Sequence, residues 1–223
     1  MSKILLSVLV AVASYLLGCI STGLIVSGKQ GVDIRNSGSK NTGASNVLRV
    51  LGLKSGLVTF VGDFLKATIA CLLGYFLLPG ETFGIAQFGP MLGGLFAVIG
   101  HNWPVFYGFK GGKGIASSTA VILFVNPLWG AVSILLCLAV IVLTRFVSLG
   151  SMTMLFSFFV LICVTHWGQW ALCLFAAALF AMCMYRHRAN VGRLLKGTEN
   201  KLGNRAKPTE MQAEAPAENE DKQ

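Results

Sequence analysis

Three short stretches of this chain gather glycine, hydroxyl, amide and cationic side chains at spacings that suit phosphate. The first, Arg35 to Gly52, reads RNSGSKNTGASNVLRVLG and carries Lys40 and Arg49 among free backbone amides and hydroxyls. From Ser45 it turns helix-like, with Ser45 as the expected N-cap, so an anion there meets oriented N–H groups and the positive end of a helix dipole. Glycine and serine alone would equally describe a flexible inter-helix loop. The second stretch, GGKGIASS at Gly111–Ser118, lets backbone approach a ligand, adds the Lys113 charge and leads straight into a helix. It lacks a preceding strand and the G-x4-GK spacing, which excludes a nucleotide P-loop. In the third, His187-Arg-Ala-Asn190-Val-Gly-Arg193-Leu-Leu-Lys196-Gly-Thr-Glu199, helical spacing puts His187, Asn190 and Arg193 on one face. A juxtamembrane basic helix resting on anionic lipid is the other reading of that segment.

The elements that carry these stretches are membrane spans. The chain has 223 residues, 54% of them hydrophobic and 12% charged, with a mean hydropathy of +0.69. Soluble domains carry about 25% charged residues, so this is an all-α integral membrane protein. Expected spans are Ile4–Val26, Gly56–Leu78, Phe88–Phe106, a short Ile115–Val125, Leu128–Leu143, Leu149–Thr165 and Gln169–Tyr185, with Asn126-Pro127 breaking the run between the fourth and fifth. Seven spans put Lys29–Lys54, Lys110, Lys113, Arg145 and Arg186–Lys201 on one side. The opposite loops, Pro79–Gln87, Asn126-Pro127 and His166–Trp170, contain no Lys or Arg. The positive-inside rule then sets the N-terminus outside and the C-terminus in the cytosol, with only Lys3 dissenting. All three polar stretches share the cytosolic face, and that convergence favours the anion-binding reading over unrelated loops.

Charge narrows the partners. Up to Leu202 there are 15 Lys/Arg against four acids, which implies phosphate-bearing molecules and lipid headgroups. Nucleic acid is excluded because the cations are divided among loops separated by spans. Residues 1–202 read as one transmembrane domain, and 203–223, polar and holding five of the nine acids, as a disordered tail. Leu16-Leu17-Gly18-Cys19 resembles a lipoprotein cleavage site, but the apolar run continues to Val26 and reads as an uncleaved span. The six cysteines sit in apolar spans without metal-ligand spacing and are expected to pack, reduced. Asp63 and Lys66, three apart near the start of the second span, can pair, as either a pocket element or a structural ion pair.

SGSKNTGASNVLRVLG, GHNWPVFYGFKGGKGIASS and HRANVGRLLKGTE together resemble the three motifs of the bacterial acyl-phosphate:glycerol-3-phosphate acyltransferases, the PlsY family, in order and spacing from about Gly18 to Glu199. Lys40 stands where glycine is usual, and Ser45 and Ser117 stand for threonine. The resemblance implies a seven-span monomer of the bacterial inner membrane with its active site on the cytosolic side. Acyl phosphate would acylate the 1-hydroxyl of sn-glycerol 3-phosphate, giving lysophosphatidic acid and phosphate without metal or other cofactor. No histidine here has an aspartate five residues on, so the H-x4-D signature of the other acyltransferase class is missing. By motif position, Ser39, Asn41, Gly43, Ser45 and Asn46 would hold one phosphate. Gly111, Gly112 and Gly114 with Lys113 would hold the other, that of glycerol phosphate. Arg49, Lys113, Ser148, His187 and Asn190 would line the meeting point, and Glu199 would brace the third motif against a cation. The proton acceptor is either His187 or a substrate phosphate oxygen, with His187 then a positioner. A small transporter of a phosphorylated solute is the alternative, disfavoured by the lack of an inverted repeat and by cations confined to one face.

Overall fold

The computed structural model describes residues 2–204 and 206 as a helical bundle whose long helices bury small residues and leave large apolar ones outside. α1 (Lys3–Cys19) starts at Ser2, whose hydroxyl accepts from the Leu5 N–H at 3.2 Å, and breaks at Ile20-Ser21 before α2 (Thr22–Gly28). The expected first span is therefore two helices, and the break leaves the Ile20 carbonyl outside the helical ladder.

α3 runs Ala44–Leu77, 34 residues, but is interrupted at Gly52, so the loop helix and the expected second span are two helical segments joined at a sharp turn. The bend is Gly52, at φ 85° and ψ −179°, a region in which only glycine rests easily. Folding there brings Leu48 against Gly56, where a Cβ would meet the leucine side chain at 2.7 Å. The arm Ala44–Leu51 thereby turns back over the membrane portion of the same helix. A two-residue antiparallel ladder, β1 (Glu81–Thr82) and β2 (Ile85–Ala86), closes the next turn around Phe83 and Gly84, both at positive φ.

α4 (Phe88–Asn102) ends sooner than the expected third span, where Pro104 forces Trp103 out of the helix and a 3-10 turn (Val105–Tyr107) follows. α4 packs against α1 and α3 at backbone distance; a Cβ at Gly74 would lie 2.0 Å from the Gly89 carbonyl oxygen. α5 (Ile115–Val125) matches its expected bounds, and Asn126 caps α6 (Pro127–Thr144) by accepting from the Trp129 N–H at 3.1 Å. α7 is Val147–Thr165. α8 (Trp170–Leu195) joins the expected last span and the basic third stretch into one continuous helix.

Among the described residues, five helical stretches are long and apolar enough to cross a bilayer: Lys3–Gly28 taken across its break, Ala44–Leu77, α6, α7 and α8. At about 1.5 Å per residue, α5 spans roughly half a hydrocarbon core, and it is buried around most of its circumference. Leu9, Leu65, Leu135, Val142, Val164 and Leu174 are among the exposed large apolar side chains, as lipid contact requires. The six cysteines are free and at least partly buried. Apart from residues 203, 204 and 206, the expected tail lies outside the described residues. The Ala206 N–H donates to the Arg49 carbonyl at 3.2 Å, and the Leu202 N–H to that of Arg145 at 2.7 Å.

Candidate active site

All three polar stretches open onto one cavity of about 290 Å³, at the small end of ligand-site volumes. Its polar end is built first by the arm of α3. Helix α3 begins at Ala44 with Gly43 as its cap, two residues earlier than the expected Ser45 cap, and Asn41 Oδ1 accepts from the Gly43 N–H at 2.9 Å. Ala44 and Ser45 line the cavity in the first turn, where N–H groups have no intrahelical acceptor. Asn46 organises the loop around itself. Its Oδ1 accepts from the Ser39 N–H at 2.8 Å, and its Nδ2 donates to the Ser37 and Asn41 carbonyls at 3.0 and 2.9 Å. Asn46 therefore lines the cavity with its amide already committed to the loop. Lys40, at the position where glycine is usual, sits at φ 58°, which gives the preference a backbone reason.

The second stretch meets the third across the cavity. Lys113 Nζ donates to Asn190 Oδ1. Asn190 Nδ2 and Ser148 Oγ donate to Glu199 Oε1 at 2.6 and 2.8 Å, and Arg193 Nε donates to Oε2 at 2.7 Å. Glu199 thus ties a cation, an amide and a hydroxyl from two helices into one network. Burial alone would raise its carboxyl pKa, but the hydrogen bonds from Asn190, Ser148 and Arg193 outweigh that and lower it. Burial acts the other way on Lys113, whose ammonium is brought down to about 8 against the partial support of Glu199. Arg49 lines the same wall, half-buried. With Glu199 paired to Arg193, Arg49 and Lys113 supply the cavity's free positive charge.

His187 is 2% exposed and lines the cavity from α8. Its Nδ1 lies 2.9 Å from the Cys183 carbonyl, so it carries the proton and Nε2 is the bare acceptor. Among the expected site residues, Ser39, Asn41, Gly43, Ser45, Asn46, Arg49, Lys113, Ser148, His187 and Asn190 all line this cavity. Gly111, Gly112 and Gly114 stand behind it and shape the loop. Gly114, at φ 74°, caps α5, and the Gly111 and Gly112 carbonyls are held by Arg186 Nη2 and Nε at 2.7 and 2.8 Å. The role of Arg186 had a visible signal, a guanidinium next to His187, but no spacing rule aims it at a loop 74 residues away.

Two further groups enter the wall from below. Asp63 pairs with Lys66 at 2.8 Å, and both Asp63 and His101 line the cavity. The opposite end is apolar, formed by Phe60, Ile134, Leu138, Ile141 and Met154, with Phe60 and Leu138 38% and 51% exposed on the bundle's outer surface. The arrangement can neutralise phosphate, polarise a carbonyl oxygen, accept a hydrogen bond from a hydroxyl and house the first part of an alkyl chain.

Residues 8–197 match the family described as Glycerol-3-phosphate acyltransferase. A protein of that name from Thermoanaerobacter sp. (strain X514) is 46% identical over 198 residues, covering 88% of this chain and 96% of its own. One from Bacillus subtilis (strain 168) is 40% identical over 205 residues, covering 89% and 98%. Among solved structures, the glycerol 3-phosphate form of PlsY (YgiH), an integral membrane glycerol 3-phosphate acyltransferase, superposes with a TM-score of 0.81 at 39% identity, covering 88% of this chain and 96% of that one. Its lysophosphatidic acid form gives 0.78 at 38%, covering 89% and 96%.

Proposed function

The chain belongs to the glycerol-3-phosphate acyltransferase family, and from that premise we propose how it makes its product. It transfers an acyl group to glycerol 3-phosphate and yields lysophosphatidic acid. The acyl donor is acyl phosphate, the acceptor oxygen is the 1-hydroxyl, and the second product is phosphate. The meeting of three anion-suited stretches in one cavity supports a two-phosphate reaction, because two phosphorylated substrates need two cradles.

The arm of α3, with Ser39, Ser45 and Arg49, holds the acyl phosphate, and the loop bearing Lys113 holds the phosphate of glycerol 3-phosphate. The glycerol oxygen attacks the acyl carbonyl carbon. The tetrahedral oxyanion then collapses with cleavage of the carbon–oxygen bond to phosphate, which departs with the hydroxyl proton. Arg49 and Lys113 stabilise the oxyanion and the leaving phosphate, an effect worth about 3–4 kcal/mol per well-placed donor. Holding both substrates in register removes about 7–11 kcal/mol of barrier. Acyl phosphate is already activated, so no acyl-enzyme is required. His187 Nε2, bare and cavity-facing, accepts a hydrogen bond from the attacking hydroxyl and orients it, while a phosphate oxygen takes the proton. The acyl chain runs past Ile134 and Met154 towards Phe60 and Leu138, where lipid supplies the rest of its surroundings.

The protein is a seven-span monomer of the bacterial inner membrane, with α4 and α5 as the short spans and the cavity on the cytosolic side. The decisive assay uses purified protein in detergent with labelled glycerol 3-phosphate and synthetic acyl phosphate. Equal release of lysophosphatidic acid and phosphate, with none from acyl-CoA, is expected; turnover with acyl-CoA at a comparable rate would overturn the donor assignment.

A further inference from the structure

Asp63, Lys66 and His101 form a charged cluster that the reaction as drawn does not use, in helices that face lipid elsewhere. They are 1%, 6% and 6% exposed. Burying such groups within a bilayer is costly, and apolar side chains of similar size would pack at no such cost. Their geometry fixes a tautomer. The Lys66 ammonium donates to the Ile20 carbonyl at 2.6 Å and meets His101 Nδ1 at 3.1 Å, with the Asp63 carboxylate paired to it at 2.8 Å. A proton on Nδ1 would set two donors against each other, and Asp63 Oδ1, at 3.6 Å from Nδ1, is too far to accept it. Nδ1 is therefore the acceptor and the proton sits on Nε2.

That Nε2–H points at the glycine loop. A Cβ added to Gly112 would lie 2.0 Å from His101 Nε2, so the ring can occupy this place only because residue 112 is glycine. Among the described residues Nε2 has no hydrogen-bond partner, and His101 lines the same cavity as Lys113. We infer that His101 is a substrate-binding residue: held by Lys66 as the Nε2–H tautomer, it donates to the phosphate of glycerol 3-phosphate next to Lys113. This rests on the assignment of that loop to glycerol phosphate. The two cavity histidines are then opposites, His101 a donor to phosphate and His187 an acceptor from the hydroxyl.

The test is a split of Michaelis constants. His101→Met raises KM for glycerol 3-phosphate about tenfold and leaves KM for acyl phosphate within twofold, the scale of one lost hydrogen bond to a charged group. His101→Gln, whose amide N–H can reach the same point, recovers most of that loss. No change in KM for glycerol 3-phosphate, equal rises for both substrates, or Gln behaving as Met would overturn the inference. Lys113→Met, measured alongside, separates it from its premise. Were that variant to raise KM for acyl phosphate alone, the loop assignment falls, while His101 still stands or falls by its own split. Should His101→Met not fold, 15N-histidine NMR of the wild-type enzyme in detergent decides. A protonated Nε2 and bare Nδ1 at His101, with the Nε2–H signal moving on addition of glycerol 3-phosphate, is expected; the reverse tautomer or an unmoved signal refutes it.

Discussion

In the proposed reaction Lys113 holds phosphate as its ammonium, yet burial brings its pKa down to about 8. Below that pH the free enzyme carries the cation, and above it the cation is lost. The kcat/KM profile for glycerol 3-phosphate therefore falls as pH rises through about 8, and Lys113→Arg moves that limb upward beyond the measurable range. In kcat the limb lies higher, because bound phosphate dianion favours the ammonium. Stability has its own sign: a lysine whose folded pKa lies below the ordinary 10.5 leaves the unfolded chain binding more protons between the two values, so this group's contribution rises with pH there. His187→Ala should lower kcat while keeping the acid limb of the profile; a flattened acid limb would make His187 the base. Lys40 is a different kind of residue, since its φ of 58° costs about 1 kcal/mol that glycine would not incur. Lys40→Gly is expected to raise the melting temperature by a few degrees. That Lys113 and Arg49 would line one cavity was legible in the sequence, because cations within glycine-rich stretches have few uses. Arg186 and His101 were not, because their targets are set by tertiary packing.

Among the elements, the bent helix α3 does most to place chemistry. Gly52 lets the arm carrying Ser45 and Arg49 fold over the cavity, and its φ/ψ pair has no comfortable counterpart in other residues. Gly52→Ala should cost about 1–3 kcal/mol of stability and, by swinging Arg49, lower kcat more than KM; thermal unfolding and steady-state kinetics check both. The sequence carried α5 to its ends, because Gly114 and Asn126-Pro127 are unambiguous stops. It did not carry the sharp turn at Gly52 within α3, since glycine in an otherwise helical pattern is as often tolerated as bent, nor the continuity of α8, whose polarity changes at Arg186 while its hydrogen bonding does not. Glu199 lies just beyond α8 and gathers Ser148, Asn190 and Arg193. Glu199→Gln turns an amide N–H towards one of these donors, and kcat is expected to drop at least tenfold. Adding Arg193→Met should restore part of it if the loss is repulsion at that guanidinium, which a double-mutant cycle measures.

For the molecule as a whole, the distribution of charge implies one orientation. A cysteine at Lys110 should be shielded from an impermeant thiol reagent in intact cells, and one at Phe83, on the turn between β1 and β2, should be labelled. The reverse pattern would invert the protein. Native thiols leave little background, five being buried and Cys163 partly so. The end of the described chain has a practical consequence. Composition alone suggests trimming everything after Leu202 as dispensable, yet the Ala206 N–H grips the carbonyl of Arg49, the residue proposed above to hold the acyl donor. A version cut at 202 would lose that latch and with it the fixed height of the arm above the membrane portion, whereas one ending after 206 would keep it. Anyone shortening or tagging this enzyme is therefore handling a segment bonded to the cavity wall, four residues past Leu202.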